Sequence, residues 1–283
     1  MVSEQAFKKG RRNFMQSSAA LGLAASIPWS LSSAQSRKVE NVGLQLYTLR
    51  TEMSQDFAGT LARVAGLGFK EMEFAGYMGN SANQVRGMLD ANGLTSPASH
   101  IQLQAIRDNL EGEIEFAQTL GQKYIVVPVV AASERTIADY HRHAEALNRA
   151  GEACKAAGLK MGYHNHDFEF ATIDGQRPYD ILMDETDPEL VTMELDLFWI
   201  TKAGVDPLEY INKYPGRFTM LHVKDMDTNG GMTDVGRGTI KFADLFSRVD
   251  TGGFEHYFIE HDNPGDGLAS IAYSIDTVRN LRF

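Results

Sequence analysis

Hydrophobic positions along this chain gather into short, β-branched runs that recur at steps of about 25 to 40 residues. Runs of this length and composition predict buried strands. We place eight of them near residues 42–47, 69–75, 95–101, 123–129, 160–165, 191–197, 217–223 and 256–261. Helical spacing fills the intervals, as in Phe57, Leu61 and Val64, which share one helical face ahead of Gly66 and Gly68. A longer helical segment is predicted over 134–157.

Strands that alternate with helices predict parallel βαβ units, and eight such units predict a closed barrel. The fold class is therefore α/β, a single (β/α)8 TIM barrel over residues 38–283. A doubly wound open sheet is the alternative. It is disfavoured because no glycine-rich phosphate loop follows the first strand.

Four of the predicted strands end at residues of types that bind metals. These residues are His164, Asp196, His222 and Glu260. The carboxyl ends of barrel strands meet at one face, so the four side chains are expected to converge there. Two imidazoles and two carboxylates suit Mn²⁺, Zn²⁺ or Co²⁺ better than Mg²⁺, which prefers oxygen ligands. The sequence predicts one divalent metal ion at this position.

Because side chains alternate along a strand, each candidate ligand shares its face with a second polar residue. The pairs are His164 with His166, Glu194 with Asp196, His222 with Lys224, and Glu260 with Asp262. Lys224 is a candidate to stabilise an oxyanion or to bind a substrate hydroxyl. His166 is expected either to touch the substrate or to orient the site.

Further polar and aromatic residues near strand ends are candidates for substrate contacts. They are Gln45, Tyr47, Glu73, His100, Phe198, Trp199 and Arg237, the last in the long loop after the seventh strand. His141 and His143 lie two residues apart in a predicted helix, where side chains do not face each other. We expect that pair to be a surface feature and not a metal site.

The first 34 residues carry the pattern of an export signal. Paired Arg11 and Arg12 precede a short apolar stretch over 19–27, and small residues suitable for cleavage follow at 32–34. The twin arginine predicts a Tat-type signal peptide over 1–34, with the Tat export machinery as a partner and the periplasm as destination. A disordered basic terminus is the alternative. A membrane anchor is disfavoured because the stretch is too short to span a bilayer.

Composition narrows the classes of partner. The first 34 residues hold four of the 27 Lys and Arg and one of the 37 Asp and Glu, so the remainder has a formal net charge of −13. An acidic chain of this kind repels phosphate backbones, which argues against nucleic acid. Cys154 is the single cysteine, which excludes an intramolecular disulfide, and its helical context predicts a small core residue.

The motifs around the candidate ligands resemble the xylose isomerase-like superfamily, which includes the sugar phosphate isomerases and epimerases. In that family one metal ion is held by Glu, Asp, His and Glu at the ends of strands 5 to 8. Asp196 in LDLFW, His222 in LHVKD and Glu260 in IEHD match the last three positions. The first falls on His164, in HNH, where the family has a glutamate. The resemblance also implies a homo-oligomer as one option, since family members commonly form dimers or tetramers.

This resemblance implies an enzyme that removes a proton next to the carbonyl of a sugar or keto-sugar. Glu260 is the base by family carry-over, and His164 or His166 is the other candidate. The leading hypothesis is a sugar isomerase or epimerase that works through an enediolate. A lyase or dehydratase that expels a β-substituent is the alternative, because the second glutamate of the epimerases is missing at position 164. A non-catalytic sugar-binding protein and a metal-dependent endonuclease are less favoured.

Overall fold

The computed structural model describes residues 36–283, and eight parallel strands form its centre. They are β1 (Val42–Gln45), β2 (Glu71–Phe74), β3 (Thr95–His100), β4 (Tyr124–Val127), β5 (Lys160–His164), β6 (Val191–Asp196), β7 (Phe218–Val223) and β8 (His256–Ile259). Each strand pairs with the next, and β8 pairs with β1 through the register Leu44 to Ile259. The predicted (β/α)8 barrel is confirmed. The predicted signal peptide lies outside the described residues.

Helices separate the strands along the chain. The α-helices are Arg50–Gln55, Phe57–Leu67, Ala82–Ala91, Leu103–Leu120, Ile137–Ala156, Pro178–Glu185, Leu197–Lys202, Pro207–Lys213, Phe242–Phe246, Val249–Gly252 and Gly267–Asn280. Short 3₁₀ helices span Leu46–Leu49, Ala132–Glu134 and Phe168–Phe170. A small antiparallel hairpin, Asp225–Met226 with Met232–Thr233, follows β7. Within residues 36–283 no helix has the length and apolar character needed to span a bilayer.

Local sequence explains where these helices begin and end. Asp56 caps Phe57–Leu67 by accepting a hydrogen bond from the Gly59 amide, and Gly68 ends it at φ 96°, a conformation that favours glycine. Thr136 and Asp139 form a reciprocal capping box at the start of Ile137–Ala156. Both helices were predicted, and the longer one begins three residues later than expected because the capping box sets its first turn.

Two histidines of the longer helix differ from each other in their surroundings. His141 is partly exposed and lies 2.8 Å from Glu185. His143 is only 2 % exposed, with Nε2 2.8 Å from the Glu134 carbonyl oxygen. The prediction of a surface pair was wrong for His143, because positions two apart on a helix point to different sides. Cys154 is buried and free, as predicted.

Apolar side chains fill the barrel interior below its carboxyl end. This layer consists of Ala98, Tyr124, Val126, Met220 and Phe258. A Cβ added to Gly43 would lie 2.5 Å from the Phe258 ring, so glycine allows that ring to pack against β1. The larger apolar cluster includes most buried side chains of the helices together with strand residues such as Leu44 and Ile125. The layer inside the barrel forms the floor of the site.

Candidate metal centre and active site

The polar residues of the site lie one strand period beyond this apolar layer. Ala98 is followed two residues later by His100, Met220 by His222, and Phe258 by Glu260. Because alternate residues of a strand share a face, the polar side chains continue the interior face at its carboxyl end. Active sites of this fold are built at that end.

Three of the four predicted metal ligands offer donor atoms within 4.8 Å of one another: His164, Asp196 and His222. Asp196 Oδ2 lies 3.2 Å from His164 Nε2 and 3.6 Å from His222 Nδ1. The fourth, Glu260, joins them through Oε2, which lies 2.8 Å from His222 Nδ1. The structure thus brings the ends of β5 to β8 together as the sequence predicted. We call these four residues the upper cluster.

The upper cluster fits a divalent cation. His164 Nδ1 donates to the Pro128 carbonyl oxygen at 3.0 Å, which leaves the lone pair of Nε2 free to bind a metal. His222 Nδ1 is buried and makes no hydrogen bond among the described residues, although Glu260 Oε2 is close. Donors bound at about 2.0–2.2 Å to one ion lie roughly 3 Å apart. The separations in the upper cluster are of that size.

Asp196 uses its two carboxylate oxygens differently. Oδ2 faces the upper cluster, whereas Oδ1 accepts a hydrogen bond from the Trp199 amide at 2.8 Å and caps helix Leu197–Lys202. The Asp196 amide in turn donates to Asn165 Oδ1 at 2.9 Å. The carboxylate orientation is therefore set by the helix that begins directly after β6.

Lys224 lies among three carboxylates. Its Nζ is 2.7 Å from Glu260, 2.8 Å from Asp262 and 3.0 Å from Asp196. The side chain is 3 % exposed. Since an ammonium group has three N–H donors, these contacts account for all of them. The structure shows Lys224 as the residue that holds these carboxylates in place.

A second group of possible ligands lies next to the upper cluster. Its four residues, Glu73, His100, Glu194 and His222, also offer donor atoms within 4.8 Å of one another. We call them the lower cluster; His222 belongs to both. Gln45, at the end of β1, donates to Glu73 Oε2 at 2.8 Å. Glu73, predicted as a sugar contact, is fully buried among these partners.

Burial and neighbouring charges shift the pKa values of these groups in opposite directions. Burial and the Glu194 carboxylate raise the pKa of Glu73. Burial would raise the pKa of Glu194 and Glu260, but His222, with His100 or Lys224, outweighs burial and lowers both. Burial would lower the pKa of His222, but Glu194, Glu260 and Glu73 hold it well above its ordinary value. The site therefore has an excess of negative charge that favours cations.

A cavity of about 440 Å³ opens beside the upper cluster. Its lining includes Tyr47, His100, His164, His166, Trp199, Lys224, Glu260, Asp262 and Asn263. His100, His166 and Trp199, which the sequence predicted as substrate contacts, all face this space. Arg237 is not part of the lining: its guanidinium lies over the Tyr273 ring at 4.2 Å and 3.5 Å from Asp234. Phe198 is buried at 1 % exposure.

His166 is held at the cavity by a short network that sequence reasoning missed. Its backbone amide donates to Glu169 Oε2 at 2.8 Å, and the Tyr163 hydroxyl donates to Glu169 Oε1 at 2.6 Å. The His166 ring lies 5.2 Å from Trp199, and its Nδ1 is buried without a partner among residues 36–283. Burial lowers the pKa of His166 to about 2, so the imidazole is neutral.

Two other residues of the site were given no role from the sequence. Glu194 completes the lower cluster, and Asn165 positions Asp196. The signal for Glu194 was present, since it shares the inward face of β6 with Asp196, two residues along. Asn165 lies between the two histidines of HNH and gave no pattern of its own.

Fold and site together define a (β/α)8 barrel protein with ligands for a divalent cation at the carboxyl ends of its strands. The chain belongs to the family described as xylose isomerase-like TIM barrel, which matches residues 61–281. The resemblance stated from the sequence motifs is confirmed at the level of the family.

The chain is also similar to individual curated relatives. An inosose dehydratase of Geobacillus kaustophilus is 27 % identical over 189 residues, covering 59 % of this chain and 61 % of the relative. One of Clostridium perfringens is 28 % identical over 158 residues, with 49 % and 52 % covered. The chain thus spans about half to three fifths of the length of these curated relatives.

Solved structures support the same fold. A sugar phosphate isomerase/epimerase from Parabacteroides distasonis superimposes with a TM-score of 0.75 at 26 % identity, covering 84 % of this chain and 96 % of that one. The IOLI protein with a bound zinc atom superimposes with a TM-score of 0.69 at 15 % identity, covering 84 % and 96 %. The second likeness is one of fold.

Proposed function

We propose that this protein is a divalent-metal-dependent lyase that removes water, or another β-oxygen substituent, from a keto-polyol or 3-keto-glycoside. The observation that carries the proposal is the composition of the site. A cavity large enough for a sugar is lined by Glu260 and Asp262 from the end of β8 and by His164 and His166 from β5. The sequence motifs favoured isomerisation. The curated relatives named inosose dehydratase instead support elimination.

Elimination requires a base for the C–H next to the carbonyl and an acid for the leaving oxygen. The base takes the proton, the C–H electrons form an enolate, and the β C–O bond then breaks as the departing oxygen is protonated. A divalent cation in the upper cluster would supply Lewis-acid stabilisation of negative charge on the substrate oxygens. Two different side chains can carry out these proton transfers, whereas an epimerase needs a matched pair of acid–base groups on both faces of one carbon.

His166 and Glu260 are the two candidates for the proton transfers. His166 lines the cavity, and Glu169 fixes its backbone by accepting a hydrogen bond from its amide. Glu260 faces the same cavity and is held by Lys224 at 2.7 Å. Trp199 offers an aromatic face beside His166 on which a sugar ring can pack.

Isomerase or epimerase chemistry is the second candidate, because the Parabacteroides distasonis structure carries that name and aligns over most of this chain. The two reactions are separated by proton NMR and mass spectrometry in D₂O, with inososes and 3-keto-glycosides as substrates and Mn²⁺, Zn²⁺ or Co²⁺ supplied in parallel. Metal is removed before spectra are taken.

A product lighter by one water, or release of the aglycone with an unsaturated keto-sugar, supports the lyase. A product of unchanged mass that carries deuterium next to the carbonyl would contradict it and support epimerisation. His166→Asn and Glu260→Gln are each expected to lower kcat at least about 100-fold, the range for a lost general acid or base. Glu71→Gln, at a buried glutamate outside the cavity lining whose carboxylate lies 2.7 Å from His256 Nδ1, is the matched control for folding.

We also propose that the protein is exported through the Tat pathway and works in the periplasm. The support is the Arg11–Arg12 pair followed by a short apolar stretch and small residues. Replacing both arginines by lysine should keep the protein in the cytoplasm, as measured by cell fractionation. Unchanged periplasmic recovery would count against the proposal.

A further inference from the structure

The lower cluster is not needed to hold a cation in the upper cluster, yet it has the residue types of a metal site. Glu73, Glu194 and His222 are fully buried, and the His100 side chain is 10 % exposed. They come from the ends of β2, β3, β6 and β7, so the site is assembled across half of the barrel.

Donor atoms of the lower cluster lie 2.7–3.5 Å apart, so only small shifts are needed to place them around one ion. Glu194 Oε2 lies 2.7 Å from His100 Nε2 and 3.2 Å from His222 Nε2. Glu73 Oε2 lies 2.7 Å from His222 Nε2, and its Oε1 lies 3.5 Å from His100 Nε2. Four donors at about 2.0–2.1 Å around a tetrahedral zinc are separated by roughly 3.3 Å.

Two buried carboxylate oxygens without partners are a second observation that fits a cation at this position. Oε1 of Glu73 and Oε1 of Glu194 are both buried and make no hydrogen bond within residues 36–283. A buried carboxylate oxygen without a donor is costly, and a metal ion is one of the few partners that offsets this cost. Gln45 donates to the other oxygen of Glu73 and so leaves Oε1 free.

The imidazole of His222 lies between the two clusters. Its Nδ1 faces Asp196 and Glu260 of the upper cluster, and its Nε2 faces Glu73 and Glu194 of the lower one. Each ring nitrogen has a lone pair once its proton is lost, so one imidazole can bind two ions.

We propose that the lower cluster is a second zinc site, bridged to the first through His222. Two imidazoles and two carboxylates suit Zn²⁺, and the four protein ligands leave no open position. The second ion is therefore structural, whereas the upper cluster faces the cavity. Binding of zinc at both nitrogens of His222 releases the ring protons, so zinc loading is accompanied by proton release.

The test is the zinc content of the full chain after loading with excess ZnCl₂ and removal of unbound metal, measured by plasma mass spectrometry. We expect two zinc ions per chain. Glu194→Gln and His100→Asn should each retain one, as should Asp196→Asn, which removes the upper site instead. His222→Ala should lose both. Circular dichroism confirms folding, and if Glu194→Gln does not fold, His100→Asn carries the test.

Glu169→Gln is the matched control, since it makes the same change in a buried glutamate of neither cluster, and it should keep two ions. One zinc per wild-type chain would overturn the proposal and would mean that His222 Nε2 donates a hydrogen bond to Glu73. Two ions in Glu194→Gln would overturn it as well. These counts do not depend on turnover, so failure of the proposed lyase activity leaves them unaffected.

Discussion

At the scale of a single residue, the burial of Glu169 makes the stability of the folded chain depend on pH. Burial raises its pKa to about 7, from an ordinary value of 4.5. Between these pH values the folded chain keeps a proton that the unfolded chain has released. Stability therefore falls as pH rises from about 4.5 to about 7 and then levels off.

Replacing Glu169 by Gln should remove this dependence, since the side-chain oxygen can still accept from the His166 amide while the NH2 group donates to the Tyr163 hydroxyl oxygen. In the wild-type protein, titration of Glu169 should lower the free energy of unfolding by about 3 kcal/mol as pH rises between its two pKa values. Urea unfolding of both proteins at pH 5 and pH 8, with the same metal supplied, measures the difference. Parallel stability curves for the two proteins would show that Glu169 does not titrate there.

At the scale of elements, the strand ends and the helices that follow them act as one unit. Asp196 ends β6, caps helix Leu197–Lys202 through Oδ1 and faces the upper cluster through Oδ2. The cap fixes the carboxylate without needing a bound ion. The backbone turn between β6 and this helix therefore sets the orientation of the Asp196 carboxylate toward the upper cluster.

The two roles of Asp196 can be separated by substitution. Asn keeps the capping oxygen but removes the charge, whereas Ala removes both. The free energy of unfolding should be about 1 kcal/mol higher for Asp196→Asn than for Asp196→Ala, the usual contribution of an N-cap. Denaturant unfolding of both variants without metal measures this difference. Equal stabilities would show that the cap contributes nothing at this site.

At the scale of the whole molecule, the site depends on closure of the barrel. The two clusters and Gln45 draw on β1, β2, β3, β5, β6 and β7, together with Glu260 directly after β8. The ends of the described chain meet as well, since the Arg37 amide donates to the Phe283 carbonyl oxygen at 2.7 Å and the reverse bond measures 3.0 Å. Binding of a cation to this site is coupled to the fold as a whole.

Removal of divalent metal should therefore lower the melting temperature of the entire barrel. A ligand at 1,000 times its dissociation constant stabilises a fold by about 4 kcal/mol. Calorimetry with and without a chelator measures the shift, and His222→Ala, expected to bind no metal, should show none. Identical melting curves for the wild-type protein would contradict a coupled metal site.

Much of this arrangement followed from the order of residues. The period of apolar runs predicted eight strands, and the polar residue ending each of the last four predicted His164, Asp196, His222 and Glu260 as one cluster. This worked because parallel strands place their carboxyl ends at the same face, so position along a strand predicts proximity.

Other features could not be read from the chain. Glu73 was expected to touch a sugar, but register across β1 and β2 buries it beside Gln45 and His222. Arg237 was expected near the substrate, yet the hairpin after β7 carries it to Tyr273. Both outcomes depend on contacts between segments far apart in sequence, which a local pattern does not contain.

The sequence by itself determined the barrel, its polar end and the ligand types, because strand alternation and helix caps act over a few residues. Only the tertiary structure decided that His222 faces two clusters, that Lys224 joins three carboxylates and that Glu194 meets His100. Those relations arise from the stagger of strands around a closed barrel, which brings Glu73 and His222, 149 positions apart, within hydrogen-bond distance.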